Sequence, residues 1–183
     1  PSRYAQLDPA MKTKELDLHF VRWLFERIRD PFLAGDVNEA LKRSAEPLNP
    51  GAELRLQLNS LHPNGGEYDV NFRADGKAWR FDVLLANSDW MMDVDRAEYD
   101  DYKDKFFAYF ETVVQEASRI FGKPAFNNGF GNPGFPEENA EWASIWNSND
   151  AQLLVLEGQE DSDTPFCVSI VLIGKRAPEP TGA

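Results

Sequence analysis

Residues 95–124 read DRAEYDDYKDKFFAYFETVVQEASRIFGKP and carry the clearest structural pattern in the chain. Its apolar residues recur at spacings of three and four, which predicts an amphipathic helix over 96–121. Asp95 and Glu98 form a capping-box pattern at its start, and Gly122 supplies a stop signal at its end. The stripe expected to face the core consists of Tyr99, Tyr102, Phe106, Phe110, Val113, Ala117 and Ile120.

Strand patterns lie on both sides of this helix. Before it, three segments alternate apolar and polar residues, and the Asp75-Gly76 pair predicts a hairpin turn between the second and the third. After it come three more apolar segments, and the last two are apolar on both faces, which predicts central or helix-covered strands. A loop rich in Gly, Asn and Pro is expected in between, at residues 127–136. The predicted strands cover residues 54–59, 68–73, 79–85, 140–147, 151–157 and 165–173.

Two shorter helices are predicted near the N-terminus, over residues 14–30 and 37–46. The predicted order is therefore ααβββαβββ, and runs of strands separated by a helix favour an α+β fold. We expect a single domain over residues 14–175, in which the long helix packs on a mainly antiparallel sheet. Residues 1–13 and 176–183 are expected to be flexible termini or residues foreign to the native chain, with Met11 as a candidate natural start.

The chain is acidic, and its negative charge argues against some classes of binding partner. Its 183 residues include 19 Lys and Arg against 31 Asp and Glu, which gives a net charge of -12. An acidic surface repels nucleic acid and anionic membranes, so neither is expected as a direct partner. The single cysteine, Cys167, and the lack of a visible signal peptide favour the cytoplasm, with a signal peptide removed from the native chain as the alternative.

Few residues form a recognisable chemical site. His19 and His62 lack the spacing partners of a metal site, and Asp93-Val94-Asp95 lacks the glycine and the terminal Glu of a calcium-binding loop. Cys167 lies in a predicted buried strand, where a thiol is inert. The loop at 127–136 lacks the Lys-Ser/Thr pair of a phosphate-binding loop, so it is expected to be a packing loop or an interaction loop. We therefore predict no catalytic residue, no metal-binding residue and no cofactor.

Seven acids between residues 89 and 104 are opposed only by Arg96 and Lys103, and they enclose the apolar run Trp90-Met91-Met92. One interpretation is a solvated helix N-terminus favoured by the helix dipole, with Trp90 buried beneath the long helix. The other is a binding surface, in which the acids steer a basic partner and an exposed Trp90 anchors it. The predicted partner-binding residues are Asp89, Trp90, Asp93, Asp100, Asp101 and Asp104.

Several features between residues 96 and 174 carry a family resemblance. They are the long helix ending in Ile120-Phe121-Gly122-Lys123-Pro124, the loop after it, and the segments Trp142 to Trp146, Leu153 to Glu157 and Phe166 to Ile173. In these features the chain resembles a bacterial immunity protein of a polymorphic or contact-delivered toxin system. Such proteins are small, acidic, single-domain α+β chains. The resemblance implies tight binding to a cognate toxin and occlusion of its active site, and it assigns no individual binding residue.

The charge and the resemblance together predict an acidic binding protein, and not an enzyme, that neutralises a cognate basic toxin by occluding its active site. Two alternatives stay open. One is an acidic inhibitor that mimics nucleic acid and binds a host nuclease. The other is a small enzyme or accessory domain with an unrecognised pocket.

Overall fold

The computed structural model describes residues 69–74, 78–149 and 151–175, together with five positions nearer the N-terminus, Leu18, Val21, Arg22, Phe25 and Glu26. In the long described ranges the chain forms one long helix, Arg96–Phe121, and six strands. The strands are β1 (Asp69–Ala74), β2 (Ala78–Asn87), β3 (Phe126–Gly129), β4 (Trp142–Asn147), β5 (Ala151–Gly158) and β6 (Cys167–Lys175).

All six strands belong to one sheet in the order β1-β2-β6-β5-β4-β3, and every neighbouring pair is antiparallel. Strands β3 to β6 form a meander, and β6 returns beside β2, so the β1–β2 hairpin extends the sheet at its far side. In one row across the sheet, Val83 lies opposite Ile170, which lies opposite Val155. The predicted α+β class, with an antiparallel sheet packed by the long helix, is confirmed.

The long helix begins and ends at the residues that the sequence predicts. The Asp95 carboxylate accepts a hydrogen bond from the Glu98 backbone N–H at 3.0 Å, which satisfies one free donor of the first turn. Gly122 has a φ of 81°, in the left-handed region that favours glycine, and its N–H donates to the Ser118 carbonyl at 3.0 Å. Trp146 donates its Nε1–H to the Gly122 carbonyl at 2.8 Å and so ties the end of the helix to β4.

The main core lies between this helix and one face of the sheet. Five of the seven residues in the predicted stripe are buried, and the other two, Tyr99 and Ile120, are partly buried against the same core. Phe106 stacks on Phe166, with ring centroids 5.8 Å apart. Fully burying an apolar side chain contributes roughly 1.5–3 kcal/mol relative to exposure, so this face supplies much of the stability. The sheet residues of this core are Val83, Leu85, Ala86, Trp146, Ala151, Leu153, Val155, Val168, Ile170 and Leu172.

A second, smaller core covers the opposite face of the sheet. Phe126 and Phe135, from β3 and the loop after it, pack there against buried residues of β4, β5 and β6. The same loop reaches β2, because Glu138 forms an ion pair with Arg80 at 2.5 Å, and Arg80 also pairs with Asp82 at 2.7 Å. Strands β5 and β6 are therefore buried on both faces, as their two-sided apolar pattern predicts.

The N-terminal predictions are only partly covered by the described residues. All five described positions within the predicted 14–30 helix are helical. Val21 and Phe25 join the main core, and the Phe25 ring meets Phe121 edge-on at 5.6 Å between centroids. The predicted helix at 37–46, the strand at 54–59, the turn at Asp75-Gly76 and the flexible termini lie outside the described residues.

The loop predicted at 127–136 is wrong at its start. Residues 127–129 belong to strand β3, which pairs with β4 from Phe126 opposite Ile145 onward. Asn and Gly disfavour strands, so the composition indicated a loop. The partner strand overrides that preference by satisfying the backbone, and Ser144 Oγ donates to Asn127 Oδ1 at 2.7 Å. Four strands, rather than the predicted three, therefore follow the long helix.

Candidate partner-binding surface

Three segments meet at one end of the sheet: the loop after β2, the turn between β5 and β6, and the first turns of the long helix. One row across the sheet there contains Gly129, Trp142, Glu157, Val168 and Ala86, each opposite the next. The loop after β2 and the turn between β5 and β6 leave the sheet just beyond this row. Residues distant in the sequence are thereby brought together at one end of the fold.

The loop after β2 is fastened to the β5–β6 turn. Ser88 donates its backbone N–H to the Phe166 carbonyl at 2.9 Å, and its Oγ accepts the Phe166 N–H at 2.9 Å. Met91 donates its N–H to the Asp163 carbonyl at 3.1 Å. Ser88 is 1% exposed and Met91 is 4% exposed, so both fixing points are buried. The side chains between and beside them are consequently presented in a defined direction.

Trp90 and Met92 flank the buried Met91 and face solvent. Trp90 is 62% exposed and Met92 is 66% exposed. The interpretation that buries Trp90 beneath the long helix is therefore wrong. A large exposed aromatic ring on a fixed loop, with acids on both sides of it, has the composition of an interface anchor.

The other predicted binding residues are also exposed. Asp89 and Asp93 lie in the fastened loop. Asp100, Asp101 and Asp104 lie on the long helix within about 100° of one another, on the side away from the core. Asp101 forms an ion pair with Lys105, with 2.6 Å between Oδ2 and Nζ, so part of the negative charge of Asp101 is compensated. The six residues thus occupy two adjoining segments, the loop and the first turns of the helix.

The β5–β6 turn is a third acidic segment, and it is not among the binding residues predicted from the sequence. Glu160, Asp161 and Asp163 are exposed there, and the Met91–Asp163 bond places the turn against the loop that carries Trp90. The signal in the sequence is three acids and no base in the eight-residue connection 159–166. Only the β2–β6 pairing brings that connection close to residue 90. We call residues 88–104 and 159–164 together the acidic end. It contains ten acids and two bases, of the 31 and 19 in the whole chain.

A buried carboxyl lies just inside the acidic end. Glu157 is 1% exposed and occupies the helix-facing side of β5, between Trp142 and Val168. Burial raises its pKa to about 7, the nearby Glu141 charge adds to the rise, and Lys103 opposes it. The sequence does not indicate this environment, because Glu157 follows four consecutive apolar residues, 153–156, and nothing in that pattern shows what covers its side chain.

An ion pair and a tyrosine lie close to Glu157. Lys103 Nζ is 2.6 Å from Glu141 Oε2, and this bond raises the pKa of Lys103. Tyr99 donates its hydroxyl to Gln159 Oε1, and burial raises the pKa of that hydroxyl. The arrangement can hold one proton on a carboxyl near neutral pH.

Gly158 permits the close approach that forms this cluster. A Cβ at residue 158 would lie 2.5 Å from the Glu141 nitrogen and 2.9 Å from Ala140 Cα, which are backbone atoms. Without the Cβ, the Glu141 N–H donates to the Glu157 carbonyl at 2.8 Å. The glycine is therefore needed for space.

The remaining candidates contribute no further site. Asp95 caps the long helix, and no group of three or more metal-ligand residues converges in the part of the chain that the structure describes. Cys167 is half-buried at the start of β6, and burial followed by the Glu157 charge raises the pKa of its thiol. Phe130, beyond β3, is 76% exposed and contacts the Phe135 ring edge-on. His19 and His62 lie outside the described residues.

No helix among the described residues is long and apolar enough to cross a membrane. Comparison of the chain with protein-family models, with curated proteins and with solved structures found no match. The acidic end therefore has to be interpreted from its own residues.

Proposed function

We propose that the protein binds a basic protein partner through the acidic end, and that it acts as an immunity protein by occluding the active site of a cognate toxin. The observation that carries this proposal is the exposure of Trp90 and Met92 on a loop whose neighbouring residues are buried and hydrogen-bonded. The loop requires no ordering when a partner arrives, so little of the binding free energy is lost in fixing it.

The charge of the acidic end favours a basic partner over other classes. Ten acids against two bases create a negative field that attracts a cationic surface and repels nucleic acid. Of the two bases, Lys103 pairs with Glu141, and Lys105, one residue beyond the acidic end, pairs with Asp101, so most of the acids there have no ion-pair partner within the acidic end among the described residues. Such a field accelerates association, and Trp90 would then supply contact area that slows dissociation.

Three immobilised proteins test the proposal: the wild type, Trp90→Ala, and the double variant Asp93→Asn with Asp104→Asn. Each is exposed to the lysate and the secreted fraction of the source organism, and retained proteins are identified by mass spectrometry. A basic toxin retained by the wild type is then purified, and its binding kinetics and its toxicity on co-expression are measured. We expect Trp90→Ala to weaken affinity roughly thirtyfold, which corresponds to the ~2 kcal/mol of a hot-spot residue.

The charge variant has a matched control. Glu26→Gln with Glu111→Gln also removes two exposed acids, but outside the acidic end. We expect slower association only for the variant in the acidic end, and the difference should vanish at about 1 M salt, where the screening length is about 3 Å. Equal association rates for the two double variants would refute this surface as the binding site. Retention of a host nuclease instead of a toxin would favour the nucleic-acid mimic.

A further inference from the structure

The hydrogen bonding of the buried Glu157 carboxyl is incomplete. The residue is 1% exposed, and its Oε1 atom has no hydrogen-bond partner among the described residues. A buried polar atom without a partner lowers stability, and a buried charge lowers it further. Packing alone gives no reason for a glutamate at this position, and such local costs concentrate at functional positions.

Four titratable groups face Glu157 from the elements around it. Tyr99 and Lys103 lie on the long helix, Glu141 precedes β4, and Cys167 begins β6. The one cation among these four, Lys103, already pairs with Glu141 at 2.6 Å. An ionised Glu157 therefore places a second carboxylate near a single ammonium group, and this second carboxylate is itself buried from water.

A proton on Glu157 removes that conflict. Burial and the Glu141 charge raise the pKa of the carboxyl from its ordinary value of 4.5 to about 7. Between these two values the folded protein holds a proton that the unfolded chain has released. Stability therefore falls as the pH rises from about 4.5 to about 7, and this contribution is constant above that range.

Glu157 is also the next-to-last residue of β5, close to the connection that carries three of the acids. Two positions further on, Gln159 accepts the Tyr99 hydroxyl and donates its Nε2–H to the Thr164 carbonyl at 2.7 Å. The Glu157 carbonyl in turn accepts the Glu141 N–H at 2.8 Å. The bond from Tyr99 to Gln159, which joins the β5–β6 turn to the long helix, therefore lies two residues from Glu157.

We propose that Glu157 is a proton-operated latch: its protonated form holds the β5–β6 turn against the long helix, and its ionisation loosens that contact. Ionised Glu157 is repelled by Glu141, competes with it for Lys103, and gains hydration only if the turn opens. The consequence for partner binding rests on the proposed function, because the turn belongs to the acidic end. The latch itself is a property of the isolated protein.

Amide hydrogen exchange of residues 158–164 in the isolated protein tests the latch between about pH 5 and pH 8.5. After correction for intrinsic exchange rates, we expect wild-type protection to fall by up to tenfold per pH unit until Glu157 is ionised, and then to level off. Glu157→Gln should remove this slope, because the amide does not ionise. The control Glu116→Gln changes the other buried described glutamate, which pairs with Arg22 and Arg119, and should keep the slope.

A carbon-13 titration of the Glu157 carboxyl gives a direct second readout in the wild type. Its midpoint should move down in Glu141→Gln and up in Lys103→Gln, since the first removes a repelling charge and the second an attracting one. A wild-type midpoint below about pH 5, or equal exchange slopes in the wild type and Glu157→Gln, would overturn the latch. These experiments use the isolated protein, so they test the latch independently of the proposed function. Failure to find a toxin would contradict the proposed function and would not change the result for the latch.

Discussion

Replacing Ser88 by alanine should loosen the loop that presents Trp90. The Ser88 hydroxyl accepts the Phe166 N–H at 2.9 Å and donates to the Asp89 carbonyl at 2.7 Å, in a residue that is 1% exposed. Alanine removes both bonds and leaves a buried donor without its acceptor. The backbone N–H of residue 88 still reaches the Phe166 carbonyl, so the loop keeps one link to β6.

The size of the effect follows from these bonds. An unsatisfied buried donor costs about 1–3 kcal/mol, and a lost hydrogen bond between neutral groups costs about 1 kcal/mol. Because one backbone bond remains, we expect Ser88→Ala to lower the free energy of unfolding by about 2–3 kcal/mol. Part of this loss of stability should be confined to the loop and the residues bonded to it, so the Phe166 amide hydrogen should exchange with solvent faster than in the wild type.

Urea unfolding and amide exchange measure the two effects. Ser162→Ala is the control, because Ser162 is exposed and its hydroxyl bonds only to side chains of the same turn. This control should stay within about 0.5 kcal/mol of the wild type. A loss of less than about 0.5 kcal/mol for Ser88→Ala, with unchanged exchange at Phe166, would show that the hydroxyl does not fix the loop.

Two further substitutions test the packing around the site. Gly158→Ala should lower the free energy of unfolding by about 3 kcal/mol, because the new Cβ overlaps backbone atoms of residues 140–141. The control Gly131→Ala, at a φ of 85° in open space, should lower it by only about 1 kcal/mol. Equal losses for the two variants in urea unfolding would contradict the steric argument. Glu116→Gln should cost about 2 kcal/mol at pH 7. Arg22 lowers the pKa of Glu116, so the carboxylate stabilises the fold above its unfolded pKa and loses that effect as the pH falls. The deficit of Glu116→Gln should therefore shrink toward pH 3 in a series of urea titrations, and a constant deficit would contradict the ion pair as its source.

The sequence predicted the long helix to the residue because its signals are local. The apolar spacing, the Asp95 cap and the Gly122 stop all act within a few residues, and each is present in the structure. The strands that alternate or carry two-sided apolar patterns were predicted for the same reason. Strand β3 was missed because its stability comes from pairing with β4, which opposes the preference of Asn127, Asn128 and Gly129.

The candidate site was predicted only as far as it is contiguous in the chain. Asp89, Trp90 and Asp93 are close in the sequence, so their composition was visible as a cluster. The β5–β6 turn joins them only through the β2–β6 pairing, which spans about eighty residues of chain. The environment of Glu157 depends on contacts from the long helix and from residue 141, and no pattern within β5 encodes them.

The long helix, most of the described strands and the excess of acids at residues 89–104 can all be inferred from the sequence alone. These follow from periodicity, capping and charge, which are properties of neighbouring residues. Three features are visible only in the folded structure: Trp90 faces solvent, a second acidic segment lies beside it, and Glu157 is enclosed with an oxygen that has no hydrogen-bond partner among the described residues. The exposure of a side chain and the pKa of a carboxyl depend on which distant segments pack over them. That packing is set by the strand order and by the position of the helix on the sheet.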